Sequence, residues 1–386
     1  MLDQNGLERA IDTITGQLDE VNRFFVAKIA AQIKKIGELG PANVNRIVAM
    51  VETGASILEI TTRLQEATGL TTQAIFQIYQ AAVDDVYTDR RFAAALAEDP
   101  TGPRSREAKE RLALLARNVA AQTAATMQNI SNTTAISTPY QAIIDKAVLA
   151  VSSGQTGWME ATQAAVREFG YNGLQVHYAS GYHRRLDTAV RQNIIDATNQ
   201  IAQQGSLLMG DVLGYDAVEL SAHPNSAPDH EPVQGRVFSR AEFDKMQAGQ
   251  DFQDVDGQHY EGFARPIGEW NCGHIAMAFS TVHSKRQYTP QQLAQWRAAN
   301  AQGCEVDGTR YSRYQVSQLM RQTETRVRRW KDAANAAKAL NDMEGRRVCQ
   351  RRINALMARY AKLADASGLP QRRERLIVEG FRMVKA

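Results

Sequence analysis

The sequence predicts a mainly α-helical protein with a small α+β core, and three observations carry this prediction. Apolar residues recur at helical spacing through most of the 386 residues. One stretch, residues 220–279, breaks the pattern with four prolines, six glycines and four of the seven histidines. Two apolar seams near the C-terminus, separated by a short turn, predict an antiparallel helical hairpin. The protein is therefore expected to place a loop-rich domain between helical regions.

Composition places the chain among globular proteins, because a hydrophobic content of 44% excludes global disorder. The length suggests two or three domains of ~150 residues each. Three scattered cysteines are too few for a disulfide framework, which fits synthesis in a reducing cytoplasm. The sequence contains no apolar run of ~18 residues and no basic, apolar leader, so neither a membrane span nor a secretion signal is expected.

The formal net charge of +3 is unevenly distributed along the chain. Between Arg310 and Arg375 there are 17 Lys and Arg against six Asp and Glu, an excess of 11 positive charges. The remainder of the chain therefore carries a net charge of −8. This asymmetry indicates that the basic segment and the acidic remainder have different partners.

Residues 1–136 are predicted to form a helical N-terminal region. Its first helix, within residues 3–36, has a heptad seam that packs either on its own domain or on a partner protein. The seam consists of Leu7, Ile11, Ile14, Leu18, Val21 and Phe25. Further helices are predicted over 42–53, 55–67, 71–98 and 105–127, followed by a polar, β-branched loop over 129–138.

Residues 137–288 are predicted to form the central α+β domain. It begins with a helix capped by Thr138 and ending near Ser152, and short strands are expected to enter and leave the loop-rich stretch. Arg184, Arg185 and Arg191 lie near the start of another predicted helix, where they oppose the helix dipole. This placement indicates that they hold a carboxylate or a phosphate, with solvation as the alternative.

Residues 289–386 are predicted to form the region of a basic C-terminal helical hairpin. This region begins with a helix that Thr289 caps, and the hairpin follows it. Its outer faces carry most of the positive charge, which favours nonspecific contact with nucleic acid. A solvated face, or contact with an acidic protein surface, is the alternative. The predicted nucleic-acid contacts are Arg321, Arg326, Arg328, Arg329, Arg346, Arg347, Arg351 and Arg352.

The central stretch contains histidine, cysteine and aspartate, which are the ligand types of zinc. Their spacing matches no known zinc pattern, so a hydrogen-bonded polar cluster that fixes the loops is the preferred interpretation. Zinc bound by His223, His230, Cys272 and His274 stays open as the alternative. Catalytic residues are not predicted, because neither Ser221 with His223 nor Cys272 with His274 has the context of a known hydrolase.

Several short motifs in this order resemble the phage minor capsid protein 2 family. They cover roughly residues 140–376 and include Glu219-Leu-Ser-Ala-His223, Pro228-Asp-His230, Gln234-Gly-Arg-Val-Phe-Ser239, Trp270-Asn-Cys272-Gly-His274 and Tyr288-Thr-Pro-Gln-Gln-Leu293. The chain departs from the family pattern at Val233, where the family has tryptophan, and at Gly273, where it has arginine. A cysteine of the family's glycine-rich loop is also missing near Gly268.

The resemblance implies a component of tailed-phage heads that is present in few copies near the portal vertex. It implies no catalytic residue. The residues of this chain that match the family's motifs form the predicted structural polar cluster. These positions are His223, Asp229, His230, Gln234, Asn271, Cys272 and His274.

The function expected from the sequence is therefore structural. The protein is expected to bind the portal protein and other head proteins on the inner side of the capsid, in several copies, and to touch packaged double-stranded DNA nonspecifically. No cofactor and no membrane partner is expected. The alternatives are a metal-dependent or cysteine hydrolase built on the histidines and Cys272, and a transient scaffold of head assembly.

Overall fold

The computed structural model of the protein describes residues 4–39, 46–98, 100–136, 138–140, 142–143, 145, 158–268, 272–378 and 380–385. The described residues are mostly helical with short antiparallel strands, which confirms the predicted fold class. The helices are α1 Gln4–Leu39, α2 Arg46–Tyr87, α3 Arg90–Ala97, α4 Pro103–Thr133, α5 Trp158–Asn172, α6 Leu186–Leu213, α7 Arg240–Gln247, α8 Pro290–Gln302, α9 Arg313–Ala339 and α10 Met343–Ser367, with a 3₁₀ turn at Arg373–Leu376.

The strands are short and form four small antiparallel sheets. They are β1 Thr134–Ala135, β2 Gln175–His177, β3 His183–Arg185, β4 Ala217–Leu220, β5 Val237–Ser239, β6 Phe252–Gln253, β7 His259–Tyr260, β8 Ala276–Phe279, β9 Cys304–Val306 and β10 Thr309–Tyr311. Across the helices that the structure describes, none has an apolar stretch of the length and purity that a bilayer requires.

The chain folds into two compact units, each assembled from three separate segments of the sequence. The first unit consists of Met1–Ile11, Thr72–Ala125 and Arg191–Ser317. The second unit consists of Asp12–Thr71, Thr126–Val190 and Gln318–Ala386. The division into 1–136, 137–288 and 289–386 drawn from the sequence stays a prediction.

Helix α2 is continuous where the sequence predicts breaks near Gly54 and Gly69, so that prediction is wrong. A single glycine inside a helix costs only about 1 kcal/mol relative to alanine, which a helix of 42 residues tolerates. The real break comes at Thr88, earlier than predicted. There Asp89 caps α3, since its side chain accepts a hydrogen bond from the Arg91 N–H.

Helix α4 extends to Thr133, through the first half of the loop predicted over 129–138, so that prediction is also wrong there. The Thr133 hydroxyl donates to the Asn129 carbonyl at 2.8 Å, and the Thr134 hydroxyl donates to the Ile130 carbonyl at 2.7 Å. Polar β-branched side chains thus bond to the last turn of the helix instead of opening a loop. The predicted end of the next helix near Ser152 lies outside the described residues.

The seam of α1 packs inside the second unit over the part whose side chains are described. Leu18, Val21 and Phe25 are almost fully buried. The Phe25 ring stacks on Phe169 with centroids 4.2 Å apart and meets Tyr140 edge-on at 5.4 Å. For these residues, packing on the protein's own core is the correct interpretation. The side chains of Leu7, Ile11 and Ile14 lie outside the description.

The predicted C-terminal hairpin consists of α9 and α10. Near the turn, Ala333, Ala334 and Cys349 form one buried cluster. Farther from it, the buried Tyr360 hydroxyl donates to Glu324 Oε1 at 2.7 Å. These contacts run in opposite directions along the two helices, so the pair is antiparallel as expected.

A three-stranded antiparallel sheet with the order β5–β4–β8 lies at the centre of the first unit. All four residues of β4 and all four of β8 are buried, and Leu220 pairs with Ala276 at one end. Helix α7 follows β5 directly, capped by the Ser239 side chain. The core beside the sheet contains Val218, Leu220, Val233, Phe238, Phe243, Met246, Phe252, Ile267, Cys272 and Ala276.

Candidate functional site

The pairing of β4 with β8 brings two loops together at one end of the sheet. Beyond the Leu220–Ala276 pair, the Ser221 N–H donates to the Ile275 carbonyl at 2.9 Å. The Ile275 N–H donates in return to Ser221 Oγ at 2.8 Å. Loop 221–236 after β4 and loop 261–275 before β8, of which residues 261–268 and 272–275 are described, therefore lie side by side at this end of the sheet. They carry the polar residues predicted from the sequence that the structure describes.

Loop 221–236 folds back through consecutive turns. The Gln234 N–H donates to the His230 carbonyl at 3.1 Å, and Gly235 then returns the chain to β5. Gly235 has a φ of +68°, and a Cβ there would lie 2.8 Å from Leu293 Cδ2. The positive φ favours glycine, and a larger residue would also have to displace the end of the Leu293 side chain. This turn places the Gln234 side chain in the interior of the loop pair.

Three buried side chains form the centre of the site. His230, Cys272 and His274 are 0%, 3% and 2% exposed. His230 Nδ1 lies 3.1 Å from Cys272 Sγ, and His274 Nδ1 lies 3.5 Å from the same sulfur. The potential ligand atoms of the three residues all lie within 4.8 Å of one another.

The outer nitrogen of each histidine ring has an acceptor. His230 Nε2 lies 2.8 Å from the Arg265 carbonyl oxygen. His274 Nε2 lies 3.4 Å from Gln234 Oε1 and 3.3 Å from Ser226 Oγ. These contacts fix the orientation of both rings, so that each presents Nδ1 to the sulfur.

Two further residues of the predicted cluster lie around this centre. The half-buried His223 ring stacks on His274 with centroids 4.4 Å apart, and the His223 backbone N–H donates to Gln234 Oε1 at 3.0 Å. Asp229 is more exposed and forms a two-pronged ion pair with Arg265, whose nitrogens donate at 3.0 and 2.7 Å. The loops are thus joined by a network that includes side chains from both.

Burial controls the protonation of the three central groups. It raises the pKa of the Cys272 thiol, against the lowering effect of the Gly268 and His274 N–H groups. Burial also lowers the pKa of His230. Burial and the neighbouring histidines lower the pKa of His274 to about 2. A buried thiol with a raised pKa is a poor nucleophile, so the arrangement does not favour cysteine catalysis.

The structure brings together six of the seven residues of the predicted cluster, while Asn271 lies outside the described residues. Three residues of the network were not predicted from the sequence. Ser226 contributes its hydroxyl, Arg265 its carbonyl and Gly268 its backbone N–H. Serine, arginine and glycine are common in loops, and the positions of these three residues follow no recognisable sequence pattern.

The arginines predicted near the start of α6 find different partners. Arg185 is 3% exposed and holds two carboxylates in the second unit, Asp187 Oδ1 at 3.0 Å and Asp332 Oδ2 at 2.6 Å. Its third nitrogen donates to the Tyr171 carbonyl at 3.1 Å. The carboxylate interpretation is therefore correct for Arg185. Arg184 instead lies over the Tyr182 ring, 5.6 Å from its centroid.

The eight arginines predicted to contact nucleic acid fall into two groups. Arg328, Arg329 and Arg346 are half-buried, and Arg328 donates to the Arg375 carbonyl at 2.9 Å. Arg329 lies over the Tyr171 ring. The exposed group is Arg321, Arg326, Arg347, Arg351 and Arg352.

Comparison with known protein families shows a match to a family described as phage minor capsid protein 2, over residues 3–363. The match extends over nearly the whole chain, well beyond the motifs quoted from the sequence. Comparison with curated proteins and with solved structures gives no match.

Proposed function

This chain belongs to the phage minor capsid protein 2 family, and from that premise we propose that it is a structural protein bound at the portal vertex inside the head. Family membership makes it a minor component of a phage capsid and associates it with other head proteins. In the proposed role it contacts the portal protein and packaged double-stranded DNA, in several copies, and it contributes to head morphogenesis or genome delivery.

The proposed DNA contact is supported by the positive charge on the exposed side of the hairpin. Within 313–367, eight exposed residues are Lys or Arg and only two are Asp or Glu. Arg347 and Arg351 share a single carboxylate, that of Glu344, at 3.4 and 3.1 Å. The excess positive charge on this surface suits the phosphates of DNA, which release counterions on binding.

A structural role also agrees with the burial of the central cluster. Its three central side chains are at most 3% exposed, so substrate has no direct access to the Cys272 thiol. The hydrogen bonds of the cluster join the two loops to each other. We propose that the cluster holds the shape of the first unit, and that the protein is not an enzyme.

The proposed location can be tested on purified phage particles. Mass spectrometry of mature particles is expected to detect the protein at a copy number far below that of the major capsid protein. An asymmetric density map of the particle is expected to place it at the portal vertex, on the inner side. Its absence from mature particles would support a transient scaffold, and density on the outer surface would contradict the proposed interior position.

Neutralising the exposed arginines of α10 is expected to weaken DNA binding. Each arginine that meets a phosphate contributes about 0.9 to the slope of log affinity against log salt. The triple variant Arg347→Gln, Arg351→Gln, Arg352→Gln is therefore expected to reduce that slope by about 2–3. Fluorescence anisotropy with a labelled duplex at several salt concentrations measures both affinity and slope.

A matched control uses three exposed arginines of α4, replaced as Arg104→Gln, Arg106→Gln and Arg117→Gln. It changes the net charge equally but leaves the hairpin intact. The control is expected to retain most of the affinity and the slope. Equal losses in both triple variants would mean that net charge alone attracts DNA, and the hairpin would then have no specific role in the contact.

A further inference from the structure

We propose that His230, Cys272 and His274 bind one zinc ion, which links loop 221–236 to loop 261–275. The inference concerns these three side chains and does not depend on the proposed position in the capsid. Two histidine Nδ1 atoms and the Cys272 sulfur face one another in a buried space. Too few hydrogen atoms lie among these three atoms to give each of them a good hydrogen bond.

The hydrogen of the outer nitrogen can be assigned in both rings. A backbone carbonyl only accepts, so His230 Nε2 must donate to the Arg265 oxygen. The Gln234 side-chain oxygen accepts from the His223 N–H, which fixes the orientation of that amide. His274 Nε2 lies 3.4 Å from the same oxygen, which only accepts, and 3.3 Å from the Ser226 hydroxyl, which can accept or donate, so an N–H on Nε2 satisfies both neighbours.

Both Nδ1 atoms then carry lone pairs, because a neutral imidazole has one N–H. They lie 3.1 and 3.5 Å from the same Cys272 sulfur. A thiol has one hydrogen and can satisfy one of them. The Arg265 nitrogen that donates to Asp229 at 2.7 Å has a second hydrogen, but it lies 3.5 Å from His230 Nδ1, at the outer limit of a hydrogen bond. Without a cation, one buried nitrogen has a weak partner at best.

The sulfur is also placed as a metal-bound thiolate would be. The Gly268 and His274 N–H groups both donate to it, the latter at 3.4 Å. Hydrogen bonds of this kind stabilise negative charge on sulfur. One thiolate and two imidazole nitrogens within 4.8 Å of one another form a ligand set that suits zinc.

The two sulfur-to-nitrogen distances are close to those of a zinc centre. Zinc bonds of about 2.3 Å to sulfur and about 2.0 Å to nitrogen, at tetrahedral angles, separate sulfur from nitrogen by about 3.5 Å. The observed separations of 3.1 and 3.5 Å are close to this value. The acceptors on both Nε2 atoms match the outer contacts that orient histidine ligands in metal sites.

Three protein ligands leave one tetrahedral position for a water molecule or another donor. Burial of all three ligands favours a structural role for the ion over a catalytic one. Asp229 balances the positive charge of Arg265 beside the site, with a separation of 2.7 Å. Because the charge of Arg265 is already balanced by Asp229, it repels a bound cation less.

The test uses the full chain, expressed with zinc in the medium and purified without chelators. Elemental analysis is expected to find about one zinc ion per chain, and X-ray absorption at the zinc edge is expected to find one sulfur ligand. The sulfur ligand distinguishes this site from zinc bound adventitiously by surface histidines. Wild-type protein that contains no zinc and gives no thiolate-to-cobalt charge-transfer band on titration with Co²⁺ would overturn the proposal.

Two variants sharpen the test. Cys272→Ser preserves the size of the side chain and is expected to lose the sulfur ligand and at least about 10-fold in zinc affinity. Cys304→Ser, at a half-buried cysteine away from the cluster, is the matched control and is expected to retain both. Loss of the sulfur ligand in the Cys304 variant, or its retention in the Cys272 variant, would place the metal elsewhere and overturn the assignment. If Cys272→Ser does not fold, the absorption spectrum of the wild-type protein still decides.

Discussion

Replacing Arg185 by methionine is expected to destabilise the second unit by about 3–5 kcal/mol, the usual cost of removing one partner from a buried ion pair. The guanidinium is 3% exposed and lies between Asp187 and Asp332. Methionine fills much of the same space but leaves both carboxylates without their main counter-charge. Urea unfolding followed by circular dichroism measures the change in the free energy of unfolding.

The neighbouring Arg184→Met variant is the matched control. Arg184 is half-buried and lies over the Tyr182 ring, so its loss is expected to cost about 1 kcal/mol or less. Adding Asp332→Asn to Arg185→Met is expected to recover part of the lost stability, because it removes one uncompensated charge. A similar small effect for both arginines would show that the buried ion pairs contribute little.

Replacing Asp19 by asparagine is expected to remove a pH dependence from the stability of the second unit. Burial, followed by the charges of Asp187 and Asp332, raises the pKa of Asp19 from 3.8 to about 8. Between these values the folded protein keeps a proton that the unfolded chain has lost. Stability from this group is therefore complete below about pH 4 and declines as the pH rises towards 8.

The comparison of the Asp19→Asn variant with the wild type isolates this group. The variant is expected to gain stability relative to wild type by as much as about 1.4 kcal/mol per pH unit between pH 5 and 8, and to level off above pH 8. The exposed neighbour Glu20, replaced by glutamine, is the control for the loss of one carboxylate from the same helix. A flat difference for Asp19→Asn would mean that Asp19 is ionised in the folded protein near neutral pH.

The sequence predicted most of the helices and the location of the central cluster, for identifiable reasons. Thr289 begins α8 as expected, because its hydroxyl accepts from the Gln292 N–H at 3.2 Å. The two C-terminal seams pair as predicted because their apolar spacing leaves one way to bury them. The wrong predictions, at α2 and at residues 129–138, came from glycines and threonines whose effect on a helix depends on their surroundings.

Tertiary structure alone decided which charges are buried and which polar groups meet. In the sequence, Arg185 and Asp332 are 147 residues apart, and nothing local pairs them. The same holds for Cys272 and His230, 42 residues apart, which meet only because β4 and β8 pair and release two loops at one end of the sheet. Nothing in the sequence separates Arg328 from Arg326, although the fold leaves Arg326 exposed and Arg328 half-buried.

By itself, the sequence determined the helical class, the loop-rich centre, the basic hairpin and the resemblance to a phage capsid family, since each depends on periodicity, composition or short motifs. The placement of Asp19 near Asp187 and Asp332, the ion pairs of Arg185 and the meeting of two histidines at Cys272 were decided only by the tertiary structure. Electrostatic energies depend on distance and burial, and both are set by contacts between residues far apart in the chain.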